Sequence, residues 1–68
     1  MKFIVLHDAD FGHKVFVRPD SITMINTCDD SIGVYRQTLV KCAGDGVFVQ
    51  ETAESVAGLV EEWHEKND

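Results

Sequence analysis

The sequence predicts a small α+β protein: an antiparallel β-meander of four to five strands followed by one C-terminal α-helix. Two observations carry this prediction. Short apolar, β-branched runs recur between Lys2 and Gln50 with Gly, Pro and Asp set between them, the punctuation of hairpins rather than of helices. From Gly44 to Trp63, GDGVFVQETAESVAGLVEEW, the chain then reads without a break as a turn, a short strand, a capped helix start and an amphipathic helix.

Taken in order, Lys2 to His7 (KFIVLH) is a β-rich apolar run of strand length. Asp8 to Lys14, with Gly12 inside it, is a turn, and Val15 to Arg18 a second strand that completes a hairpin. Pro19-Asp20 ends that strand, because proline lacks the ladder donor and aspartate favours a tight bend. In the next strand, Ser21 to Thr27, strict alternation sets Ile22, Met24 and Asn26 on one face and Thr23, Ile25 and Thr27 on the other. The preferred arrangement buries the Ile22/Met24 face and leaves Ile25 near an oligomer contact. Asp29-Asp30-Ser31 is a loop, and a strand resumes over Ile32 to Cys42, interrupted near Gly33 or at Arg36-Gln37. Gly44-Asp45-Gly46 is a turn that needs positive backbone angles, returning the chain as Val47 to Gln50.

The helix spans residues 52 to 65. Thr52 is the N-cap, its hydroxyl accepting from the amide of Glu54 or Ser55, and Glu54 places negative charge in the first turn. Val56, Leu59, Val60 and Trp63 fall at i, i+3, i+4 and i+7 and form one buried stripe, with Glu54, Glu61, Glu62 and Glu65 off it. Gly58 costs roughly 0.5–1 kcal/mol relative to alanine inside a helix. It is read as tolerated rather than as a point of close backbone approach.

With 68 residues the chain is expected to be a single domain, 1–68, whose core alone supplies no more than about 3–5 kcal/mol. Stabilisation from a second subunit is therefore expected. An apolar content of 44% excludes disorder, and the apolar runs are too short to span a bilayer. The N-terminal run meets Asp8 and Asp10 where an export signal would stay hydrophobic, so the expected location is cytoplasmic and no membrane insertion is expected. Six basic against twelve acidic residues give a net charge of −6. The cations are dispersed at Lys2, Lys14, Arg18, Arg36, Lys41 and Lys66, with no interleaved aromatics. Binding to DNA or RNA is not expected, since counterion release has little to act on.

The stretches Phe16-Val17-Arg18-Pro19-Asp20-Ser21-Ile22 and Val47-Phe48-Val49-Gln50-Glu51-Thr52-Ala53-Glu54-Ser55-Val56 together resemble the FlbD-type small flagellar protein family and its unassigned relatives. The shared pattern is a Pro-Asp-x-Ile step between strands, a glycine turn, and V-x-E-S/T-x-E-x-V leading a terminal helix. The Asp8 to His13 turn is longer than the family's usual hairpin turn, and Asp29 to Gln37 reads as an insertion. The resemblance implies an accessory role in flagellar or other envelope-linked machinery. It implies no catalytic residue.

Candidate chemistry is sparse. His7, Asp8, Asp10 and His13 crowd one turn with nitrogen and carboxylate donors of the kind that zinc or another transition metal accepts. Polar turns collect Asp and His because they are solvated, and this spacing belongs to no motif with a mechanism, so the solvated-turn reading is preferred. Cys28 and Cys42 lack the C-x-x-C spacing of a redox or zinc motif. A disulfide across a hairpin is conceivable, but free, half-buried thiols are expected, and nothing in the sequence activates either as a nucleophile. Trp63, Phe48 and Tyr35 are read as core or interface residues. No catalytic, cofactor-binding or metal-binding residue is assigned.

Two function classes remain. The first is a non-enzymatic protein–protein interaction module, homo-oligomeric with a dimer as the default because two-fold closure is commonest, that serves a larger protein partner. The second is an acidic regulator or inhibitor of a nucleic-acid-binding protein, of the kind a phage or other mobile element encodes, supported by the charge alone.

Overall fold

A computed structural model describes residues 2–29 and 36–67. The elements in chain order are β1 (Ile4–His7), β2 (Lys14–Val17), one 3-10 turn (Pro19–Ser21), β3 (Ile22–Asp29), β4 (Arg36–Cys42), β5 (Asp45–Val49) and α1 (Ala53–Asn67). This is the α+β arrangement expected, five antiparallel strands and a C-terminal helix. The strands do not form one continuous meander, however. They divide into a β1-β2 ribbon and a three-stranded sheet in the order β3-β4-β5.

The division falls at Pro19, which is buried at the start of the 3-10 turn. Its missing amide and fixed φ turn the chain away from β2 before β3 begins, and the Ser21 hydroxyl and amide both donate to the Arg18 carbonyl, at 2.8 and 3.0 Å. The ribbon returns to the sheet through its other strand. An isolated bridge pairs Asp8 with Val49, the Gln50 amide donates to the His7 carbonyl at 2.8 Å, and the Ala9 amide donates to Phe48 at 2.9 Å.

Two turns set the register of their hairpins. Between β1 and β2 the Asp8 carboxylate accepts from the Phe11 and His13 amides at 2.6 and 3.0 Å, while Gly12 takes the left-handed conformation at φ +72° that lets the chain reverse. Between β4 and β5 the turn residues are Ala43 and Gly44, both at positive φ, framed by the Cys42–Asp45 pair. The turn thus lies one position earlier than the glycines indicate, with Ala43 accepting a left-handed conformation and Asp45-Gly46 already in β5. A side chain at Gly46 would crowd Leu39, whose Cδ1 lies 3.1 Å from the Cβ position.

Strict alternation fails in β3. The register shifts between Ile22, opposite Cys42, and Met24, opposite Lys41, so Thr23 is the extra residue of a β-bulge. Every side chain beyond a bulge changes face. Ile25 consequently packs on the core and Met24 is exposed, the reverse of the expected arrangement. Ile25 is no candidate for an oligomer contact.

The core is built from Ile4, Leu6, Val17, Val40, Val49 and Val56. The helix closes it by packing over β1, β3 and the 3-10 turn. Its start is as expected: the Ser55 amide donates to the Thr52 hydroxyl at 3.1 Å, and the Val56 amide makes a first helical bond to the Thr52 carbonyl. Val56 is fully buried, with Val60 and Trp63 packed against the core. Leu59 is not part of the buried stripe; it sits on the shoulder of the helix, 36% exposed. No atom lies within 4 Å of a Cβ built on Gly58, so that glycine serves no close approach. The expected strand start at Ile32 to Tyr35 and the Asp30-Ser31 loop lie outside the described residues, as does the assignment of Tyr35. No described helix is long and apolar enough to cross a membrane.

Candidate interaction surface

Successive residues of a strand face opposite ways, and away from its turn, where His7 pairs with Lys14, both faces of the ribbon are apolar. Ile4, Leu6 and Val17 point into the core. Their neighbours Val5 and Phe16, paired directly across the two strands, point out and are 39% and 63% exposed. Phe3 extends the outward row at 43%. Fully burying such side chains is worth about 1.5–3 kcal/mol each, so an uncovered row of three is a strong drive toward association.

The row continues onto the helix. Phe3, Val5, Leu59 and Trp63, with Glu62 and Lys66 at the rim, line a groove of ≈ 460 Å³ between β1 and α1. On the other side of Phe3, a shallower apolar depression of ≈ 270 Å³ runs along Val15, Phe16 and Val17 toward Val47. Phe3 borders both, so apolar surface runs from α1 past Phe3 to the gap between β2 and the β4-β5 end of the sheet. Sequence periodicity assigned Leu59 and Trp63 together to the core. It could not show that the stripe is wider than the sheet beneath it.

The polar turn is organised by hydrogen bonds within the protein. Asp8 holds the turn, and the Phe11 amide, followed by the His13 amide and the nearby His13 ring, keeps its carboxyl below the usual carboxylate range. His7 turns away from the turn toward the start of the helix. Glu51 accepts from the His7 ring Nδ1–H at 2.7 Å and from the His7 amide at 3.0 Å. Partial burial pushes the Glu51 carboxyl up, but these two bonds outweigh it and hold it below its ordinary value. His7, Asp8, Asp10 and His13 are therefore not brought together as a ligand set, and among the described residues no cluster of three or more His, Cys, Asp or Glu side chains could hold a metal. The His7–Glu51 link joins positions far apart in the chain, and no local pattern marks it.

Cys28 and Cys42 are both free and half-buried. Cys42 pairs with Ile22, whereas Cys28 lies opposite Gln37 at the far end of β3. At about 3.3 Å per residue these positions are some 20 Å apart, well beyond the roughly 7 Å that a disulfide allows.

Compared with protein-family models, curated proteins and solved structures, the chain matches none.

Proposed function

We propose that the protein is a non-enzymatic protein–protein interaction module that self-associates as a dimer and serves a larger assembly. The observation that supports this reading best is the exposed apolar surface of the ribbon and the shoulder of α1. In a chain this small, such surface is costly unless a partner covers it. Phe16, 63% exposed on β2, is the centre of the dimer contact, because it lies on a ribbon edge that among the described residues pairs only with β1. The resemblance of Phe16–Ile22 and Val47–Val56 to FlbD-type proteins supports flagellar or other envelope-linked machinery as the larger assembly. The alternative, an acidic regulator or inhibitor of a nucleic-acid-binding protein, draws on the exposed Glu54, Glu61, Glu62 and Glu65 of α1.

Light scattering coupled to size exclusion at low micromolar concentration tests the dimer. The expected mass is twice the 7.6 kDa of the chain, falling to the monomer in Phe16→Glu with an unchanged far-ultraviolet circular dichroism spectrum. A folded wild-type monomer would overturn it.

A further inference from the structure

The groove between β1 and α1 differs in charge from the ribbon face, and that difference identifies its occupant. Leu59 and Trp63, one turn apart, form its helical wall, and Phe3 and Val5 its strand wall. Helical spacing places Lys66, Glu62, Gly58, Glu65 and Glu54 successively further round the helix from Leu59. The Lys66 ammonium, the cation of this rim, is held by Glu62 at 2.8 Å. The pairing raises the lysine pKa and lowers that of the glutamate. Beyond that pair the helix presents exposed carboxylates, and at Gly58 it presents bare backbone with nothing packed over it.

An incoming element therefore meets apolar pockets on one side and, past the charge-balanced Glu62–Lys66 pair, the exposed carboxylates of Glu65 and Glu54 on the other. A second copy fits this rim poorly, since it would lay an identical acidic helix against it. We propose that the groove docks a basic amphipathic helix of a different protein, laid alongside α1. Its apolar anchors enter between Leu59, Trp63, Phe3 and Val5, and its Lys or Arg residues lie over Glu62 and Glu65. This is the helix-in-groove mode, read by anchors at i, i+3 or i+4, with the charges fixing orientation and partner choice. The inference rests on the interaction-module reading and names the partner chemistry for one part of its surface.

Trp63 is the single tryptophan of the chain and lines the groove, so its fluorescence reports occupancy. The probe is a short Leu/Lys peptide without tryptophan, patterned to be amphipathic as a helix, titrated into the full chain; its controls are the same composition scrambled and the Leu/Glu counterpart. The expected result is a saturable shift of Trp63 emission to shorter wavelength with the patterned Leu/Lys peptide alone. Leu59→Lys and, as a second groove variant that keeps strand preference, Val5→Thr should each weaken binding about tenfold, the scale of losing a buried anchor. Glu62→Gln with Glu65→Gln should weaken it about two- to five-fold at low salt, as for exposed ion pairs, and the gap should close at high salt. Equal responses to patterned and scrambled peptides would overturn the proposal, as would cooperatively folded groove variants that bind like wild type. A dimer that ignores the peptide sinks this inference and leaves the module reading standing. A monomer that binds it overturns the dimer and supports the groove.

Discussion

The β1-β2 ribbon and the three-stranded sheet bury their inner faces alike but treat their outer faces differently. On the sheet, each outward pair between β3 and β4 sets an apolar or weakly polar residue against a polar one: Met24 opposite Lys41, Asn26 opposite Leu39, Cys28 opposite Gln37. Across β4 and β5, Leu39 lies opposite Phe48, which is 43% exposed, an apolar pair flanked by these polar residues. On the ribbon, the outward pairs are Val5 opposite Phe16 and, next to the turn, His7 opposite Lys14, with Phe3 adjoining the apolar pair. A two-stranded ribbon with Phe3, Val5 and Phe16 outward, in addition to its buried inner face, carries more apolar surface than its own core covers. The proposed contact is placed on the ribbon and α1 because the exposed apolar side chains there, Phe3, Val5, Phe16 and Leu59, adjoin one another.

The largest expected effect separates the two faces of the ribbon. Leu6→Ala removes a fully buried side chain from the core and should cost about 2–5 kcal/mol in chemical denaturation, most of the stability available to so small a domain. Val5→Ala, one residue away and facing out, should cost under about 1 kcal/mol in the monomer. It should lower the apparent stability further only at concentrations where the wild type dimerises. Equal, concentration-independent losses for the two variants would show that the outer face is already covered within one chain.

Much of this fold was legible because its elements are marked locally. Thr52 is followed by Ser55 at capping distance, Pro19 punctuates β2 and β3, and Gly12 marks the reversal between β1 and β2. The bulge at Thr23 was not legible. Nothing in SITMINT distinguishes strict alternation from one slipped residue, and the choice is made by which of Met24 and Ile25 fits the core beneath α1. The same holds for Leu59, whose periodicity is that of a buried residue although the sheet does not extend under it. The groove needed β1 and α1 to be placed side by side, which is tertiary information. The metal reading of the His7 to His13 turn failed to gather its ligands for a comparable reason: His7 is claimed by Glu51, 44 positions away.

That His7–Glu51 link gives a second, smaller test, because it ties the end of β1 to the residue before the helix cap and so fastens ribbon to sheet. Glu51 has a folded pKa below its ordinary 4.5. Its stabilising contribution is therefore fully present above about 4.5 and is lost as the pH falls through the lowered folded value. Asp8, also lowered, acts in the same direction on the turn. Thermal melts should be flat with respect to these groups above pH 4.5 and decline below it. Glu51→Gln should cost about 1–2 kcal/mol at neutral pH and remove part of the acid dependence. Hydrogen exchange should show β1 and β2 loosening before β4 and β5 as the pH drops. Uniform loosening of all five strands would mean that the latch does not hold the ribbon separately.

The smallest effect asks whether the helix couples the two regions. Gly58 is exposed in mid-helix, and an added methyl group meets nothing within 4 Å, so Gly58→Ala should gain about 0.5–1 kcal/mol from helix propensity without a steric cost. Because α1 packs on both β1 and β3, that gain should appear as slower exchange in the ribbon and the sheet by the same factor if the helix binds them into one cooperative unit. Slower exchange confined to the sheet would identify the ribbon as a separately opening element, held by the His7–Glu51 link and the Asp8–Val49 bridge rather than by the helix. A lowered melting temperature would contradict the open environment of Gly58 itself.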